Sequence, residues 1–146
     1  MSEPMTTDNI DQRTFDYVRK KLEEQGCPSI TIGGECAYRG LQGEKCAVGW
    51  LIPDALYNDA IEETPIGGGS DRQAAAAWAP IMTLLAGVSN DLIDALQSAH
   101  DDAHSDGLPG SWRKEWRAEM RDIAKSEGLK WRRSVKDATH PTTGEP

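Results

Sequence analysis

Apolar residues recur along most of this chain at intervals of three and four, the spacing that places them on one face of a helix. Phe15, Val18 and Leu22 set the first such face. Thr7 or Asp8 is placed to cap that helix, which runs to about Gln25 and stops at Gly26. A second helix is predicted from a Ser70 or Asp71 cap through Ala86, rich in the strong helix formers Ala74 to Ala77. Pro80 lies inside it, so a kink or break is expected there, and Gly87 ends it. Ser89 caps a third helix to about His104, with Leu92, Leu96, Ala99 and Ala103 as its stripe. Asp106-Gly107 and Pro109-Gly110 read as a turn. Ser111 then caps a last helix to about Glu127, stopped by Gly128, with Trp112, Trp116, Met120 and Ile123 on one face.

The pattern changes between Cys27 and Gly43. Pro28, Gly33, Gly34, Gly40 and Gly43 punctuate this stretch, and Ile30 and Ile32 alternate with polar residues. The alternation predicts a small hairpin turning at Gly40 to Gly43. Lys45 to Ile52 is a dense apolar run whose length suits a strand or two turns of helix, and Pro53-Asp54 ends it. Asp54 to Glu63 reads as one helical turn with an exit loop, and Pro65 to Ser70 as a flexible loop. The expected fold is therefore mostly α: about four helices in one small domain, with a short β-hairpin-like insertion after the first. Residues 1–7 are expected to be a flexible leader, 8–131 the globular domain, and 132–146 a disordered polar tail. Trp50, Trp78, Trp112 and Trp116 compete for one helical core, which is a better reading of them than a base-stacking platform.

A chain of 146 residues matches one domain and can bury enough surface to fold without staples. No apolar run approaches the roughly 20 residues of a membrane-spanning helix, and the polar start lacks the features of a secretion signal. The three cysteines, Cys27, Cys36 and Cys46, favour reduced thiols and a cytoplasmic setting. The net charge of −8 argues against direct nucleic-acid binding and anionic lipid, and permits a basic protein partner. Residues 54 to 106 are rich in Asp and Glu and carry Arg72 as their one Lys or Arg, whereas 112 to 136 hold nine Lys or Arg against four acids. Two solvated faces explain this polarity most simply. An acidic surface imitating nucleic acid would instead need Asp54, Asp59, Glu62, Glu63, Asp91, Asp94, Asp101 and Asp102 on one exposed side.

The most informative stretch is Cys36 to Asp54. It carries Cys36, Tyr38 and Arg39, a glycine turn, then Lys45, Cys46, Ala47, Val48, Gly49, Leu51, Ile52, Pro53 and Asp54. This pattern resembles a family of small uncharacterised phage and bacterial proteins. The resemblance extends to Leu96, Gln97, His100 and Asp101, and to Trp116, Gly128 and Leu129. It implies a shared fold over roughly residues 8 to 130 and a phage or mobile-element context, but no mechanism.

Three chemical readings compete with a structural role for these residues. Cys36, Cys46, His100 and His104 offer two thiols and two imidazoles, a donor set suited to tetrahedral zinc. The nine residues between the cysteines do not match a zinc knuckle, and the two could equally be small buried apolar residues or a disulfide pair. His100-Asp101 suggests a small hydrolase, although only Asp102 and His104 lie near in sequence to complete a set. Tyr38, Arg39 and Lys45 could hold a phosphate or carboxylate, but an internal pairing of Arg39 with Asp54 or Asp101 fits a clasp better. Cys46, inside an apolar run, is expected to have a raised pKa unless it starts a helix. With no complete catalytic set, the leading expectation is a small binding or regulatory protein that docks on a host or phage protein. The alternatives are a zinc module or small hydrolase centred on Cys36, Cys46, His100 and Asp101, and a structural virion or assembly component.

Overall fold

The computed structural model describes residues 9–31, 36–105 and 112–146, with the side chains of residues 104 and 105 excepted. The leader 1–7, Ile32, the turn at 106–110, the Ser111 cap and the His104 side chain lie outside the described residues. Among the described residues there are five α-helices, four of them long: α1 (Ile10–Gln25), α2 (Ala47–Leu51), α3 (Arg72–Leu84), α4 (Asn90–Ser105) and α5 (Trp112–Ser126). Two single-turn helices, Asp54–Leu56 and Asp59–Ile61, lie between α2 and α3. The mostly helical expectation holds.

The ends of the helices follow local chemistry. Asn9 caps α1, its side-chain oxygen accepting from the Gln12 amide at 2.8 Å. Gly26 ends it at φ +73°, its N–H closing on the Leu22 carbonyl. Asp71 caps α3 through the Ala74 amide at 3.0 Å, and the Ser89 hydroxyl accepts from the Leu92 amide at the start of α4. α3 runs through Pro80 without a break in its assignment, and Pro80 sits on the exposed side.

The hairpin expectation does not hold. Two isolated antiparallel bridges, Ile30 with Cys36 and Arg39 with Lys45, stand where strands were expected. Gly40 and Gly43 form a turn, and among the described residues single backbone bonds, Ala37 to Ser29 and Gly40 to Glu44, together with side chains, hold the segment without a strand ladder. Most of the apolar run 45–52 resolves into helix: Cys46 caps α2, which buries Ala47, Val48 and Leu51.

α4 packs against α5, α2 and α1, and α2 packs against α1. The core collects Phe15, Val18 and Leu22 of α1, Trp78 and Ile81 of α3, Leu92 and Leu96 of α4, and Trp116 and Met120 of α5. Trp112 and Trp116 stack with ring centroids 5.5 Å apart and planes 9° from parallel. Trp50 is only partly buried and packs at the margin.

The segment 132–146 differs most from expectation, which had it disordered. It lies against α1, whose polar side is itself buried: Gln12, Asp16, Arg19 and Lys20 are all among the buried residues. Gln12 exchanges hydrogen bonds with the Lys130 backbone at 2.9 and 3.1 Å. Asp16 accepts from Arg132 Nε at 2.8 Å, Arg19 donates to the Arg132 carbonyl at 2.6 Å, and Lys20 donates to the Ala138 carbonyl at 3.0 Å. Trp131 is gripped between the Arg19 and Arg121 guanidinium groups, 3.9 and 4.3 Å from its ring, with Phe15 at its edge. Polar composition suggested solvation, but Gln12, Asp16, Arg19 and Lys20 of α1 each meet a backbone or charged group within residues 130–138.

Candidate functional site

The bridge residue Cys36 and the third turn of α4 meet at a cleft of about 370 Å³. Cys36, Ala37 and Tyr38 form one wall, Asp94, Gln97, Ser98 and Asp101 of α4 another, and Glu63 to Ile66 the rim. The spacing 94, 97, 98, 101 puts those four side chains on one helix face. Three carboxylates line the cleft, and no Lys or Arg does so among the described residues. Glu63 holds φ +62°, the left-handed region that a non-glycine residue rarely adopts.

Asp101 is the hub. Its Oδ1 lies 2.9 Å from His100 Nδ1 and accepts from Gln97 Nε2 at 3.1 Å. The Cys36 sulfur lies within 4.8 Å of the carboxylate, near enough for its thiol to favour the charged form. Burial pushes the Asp101 carboxyl up, but the hydrogen bonds from His100, Cys36 and Gln97 together outweigh it, leaving it below the usual aspartate value. The other Gln97 atom, Oε1, accepts from the Val48 amide at 3.0 Å, so this side chain joins α2 to Asp101.

His100 lies behind the cleft, fully buried. Its Nε2 faces the Ser29 backbone N–H at 3.0 Å and must therefore accept. That leaves the proton on Nδ1, donated to Asp101, and fixes one neutral tautomer. The ring meets Trp112 edge-on at 5.7 Å, and the Trp112 indole N–H donates to the His100 carbonyl.

Cys36, His100 and Asp101 donor atoms fall within 4.8 Å of one another, the one metal-competent group among the described residues. The hydrogen bonds do not suit a metal centre. A metal on His100 Nδ1 would move the proton to Nε2, against the Ser29 N–H. Burial first, then the hydrogen bond to Asp101, pushes the Cys36 thiol up to about 12, which disfavours the thiolate a metal or a substrate needs. Cys46 is not in the group. It caps α2, its sulfur accepting from the Gly49 amide at 3.3 Å. This position starts a helix, yet complete burial still pushes the thiol up to about 12, because a five-residue helix offers little field against full desolvation. All three cysteines are free thiols.

Tyr38, Arg39, Lys45 and Asp54 form a separate cluster. Arg39 Nη1 pairs with Asp54 at 2.9 Å, Nη2 donates to the Ile52 carbonyl at 3.0 Å, and the guanidinium covers the Tyr57 ring at 4.3 Å. Lys45 Nζ sits 3.7 Å from the same Asp54 carboxylate and 4.5 Å over the Trp50 ring. The internal pairing of Arg39 with Asp54 is thus the one present. Glu62, which sequence reasoning placed only in an acidic surface, locks the cluster: it accepts from the Tyr38 and Arg39 amides at 3.0 Å each and from the Tyr57 hydroxyl at 2.6 Å. The Tyr38 hydroxyl donates to the Thr64 carbonyl, and its ring meets Trp78 edge-on.

The eight acids proposed as a nucleic-acid mimic are therefore divided. Glu62 is taken up by backbone amides and the Tyr57 hydroxyl, Asp54 pairs with Arg39 and Lys45 at the surface, and Glu63, Asp94 and Asp101 share the cleft. Arg39, Cys46 and His100 do not face that cleft; Cys36, Tyr38 and Asp101 do. Gln97 and Ser98 were missed as site residues; the helical spacing of 94, 97, 98 and 101 is the signal that links them to Asp101. No helix among the described residues is long and apolar enough to cross a membrane. Compared with known proteins, the chain matches no family model and has no significant match to a curated protein or a solved structure.

Proposed function

We propose that this is a small acidic binding or regulatory protein that receives a basic side chain of a protein partner in the α4 cleft. The observation that carries the reading is the lining: Glu63, Asp94 and Asp101 around about 370 Å³ of open space, with no cation among them. Asp101 is held as a carboxylate by its donors, and the Ser98 hydroxyl adds a neutral acceptor that can complete a guanidinium's hydrogen bonds. On the resemblance of the Cys36 to Asp54 motif, the partner belongs to a phage or its host. The hydrolase and zinc readings lose ground to this one because His100 is buried with both ring nitrogens engaged, and because both motif thiols resist ionisation.

The test is a nuclear magnetic resonance titration with short arginine-containing peptides at low salt. Shifts concentrated at Asp94, Gln97, Ser98 and Asp101, and weakened at least fivefold by Asp94→Asn, support the reading. Shifts spread evenly over all acidic positions, or none, overturn it. A metal titration of the same sample, with Cys36→Ser as control, discriminates the zinc alternative, and a solution mass measurement discriminates an assembly component.

A further inference from the structure

The tail ends in a small closed loop built around one imidazole. His140 is buried, with only 4% of its surface exposed. Its Nε2 lies 2.9 Å from the Leu51 carbonyl oxygen. A carbonyl only accepts, so Nε2 carries the proton. On the other side the Thr142 and Thr143 backbone amides both point at Nδ1, each at 3.2 Å. Nδ1 must therefore present its lone pair, and the ring is neutral. The loop closes through the His140 amide to the Glu145 carbonyl at 2.7 Å and the Gly144 amide to the His140 carbonyl at 3.0 Å. The Tyr17 ring meets the imidazole edge-on at 5.3 Å.

We propose that residues 138–146 are a pH-sensitive latch, held shut by neutral His140 and released when Nδ1 gains a proton. The added N–H would point at two N–H donors, and buried donors facing donors are costly. The Thr142 hydroxyl, 3.2 Å from Nδ1, can accept the new proton only if the two amides turn away, which opens the loop. A proton on Nδ1 becomes more favourable as pH falls, so the latch is closed at high pH and opens as pH is lowered.

The charged and titratable groups around the ring come from four places. Tyr17, Lys20 and Lys21 lie on α1, Lys45 precedes α2, Asp54 follows it, and Glu145 belongs to the loop itself. The lysines oppose a charged ring, while Asp54 and Glu145 favour it. The upstream anchors, Gln12 with Lys130 and Asp16 with Arg132, involve no histidine, so release stops at about residue 138. Opening would uncover one wall of a cleft of about 320 Å³ floored by Tyr17, Lys21, Lys45 and Trp50. Lys21 and Lys45 sit 5.2 and 4.5 Å over the Trp50 ring, and Lys45 also pairs with Asp54, so the uncovered face is aromatic and of mixed charge, unlike the acidic α4 cleft.

Amide hydrogen exchange on the full chain, corrected for intrinsic rates, tests this at pH 8 and pH 5.5. The expected result is at least a tenfold loss of protection at Thr142 and Thr143 at the lower pH, with Leu92 and Leu96 of α4 unchanged. His140→Gln, which keeps a donor and an acceptor but cannot titrate, should keep the loop protected at both pH values. Should that variant fail to close at all, the imidazole nitrogen shifts of the unsubstituted protein decide. Nδ1 must take up its proton over the interval in which Thr143 opens. Unchanged protection, opening of the loop together with α4, or opening while Nδ1 stays unprotonated would each overturn the latch.

Discussion

At Asp101, one carboxylate gathers a histidine, an amide and a thiol, and the gathering has a consequence for acid stability. Its pKa lies below the usual aspartate value because those hydrogen bonds favour the charged form more than burial opposes it. A depressed folded-state value contributes stability above the unfolded value, near 3.9, that is lost as pH falls through the folded one. Urea unfolding between pH 7 and pH 2 should show stability falling below about pH 4, and Asp101→Asn should flatten that limb. Asp16 works in the opposite sense: burial pushes it up against the hydrogen bonds from Gln12 and Arg132, so its protonation favours the folded chain. Much of this residue-level chemistry was legible only in part. The pairing of Arg39 with Asp54 could be read because both lie in one motif and their charges are complementary. Glu62 could not, since nothing in sequence distinguishes a carboxylate that caps two backbone amides from the exposed Glu63 beside it. His100 was readable as a helix-end group or a ligand; the Ser29 amide that decides its tautomer comes from 71 positions away.

Between elements, α2 lies close against the Tyr38 backbone at Gly49. A Cβ built at Gly49 would overlap the Tyr38 carbonyl oxygen and press on its carbon. Backbone cannot yield as a flexible side chain can, so Gly49→Ala should destabilise the chain by about 2–4 kcal/mol, read as a lower urea midpoint at unchanged slope. The glycine of the Ala-Val-Gly-Trp run is therefore a packing residue that lets the Cys36–Arg39 segment lie on α2. The four long helices were legible because their apolar stripes are long and their caps are conventional. The run 45–52 was ambiguous between strand and helix because so short an apolar run satisfies either period, and the Cys46 cap is too local a signal to settle it. Among the described residues the expected hairpin gives way to isolated bridges, because Glu62 and His100 satisfy the Ser29, Tyr38 and Arg39 amides that a partner strand would otherwise have taken.

Across the whole molecule, charge separates by place as well as by sequence. The acids of residues 54 to 106 supply the α4 cleft, while the basic stretch after residue 112 is drawn into contacts with α1 and Trp131. That second half explains why a polar, proline-bearing tail was expected to be loose. Composition records how well a segment is solvated when alone; it does not record that Gln12, Asp16, Arg19 and Lys20 form a buried polar strip waiting for it. The pairing of Gln12 with Lys130 also spans 118 positions, and that distance sets its order of events. Bringing such remote segments together carries a large loop-closure cost until the helices between them have collapsed. Docking of the tail therefore belongs after the rate-limiting step of folding. Gln12→Ala and Arg132→Ala should leave the refolding limb of a denaturant chevron nearly unmoved while speeding unfolding several-fold, about as a loss of roughly 1 kcal/mol at a late contact would. In this chain the final stitch governs how long the native state lasts once made, and has little say in how quickly it is reached.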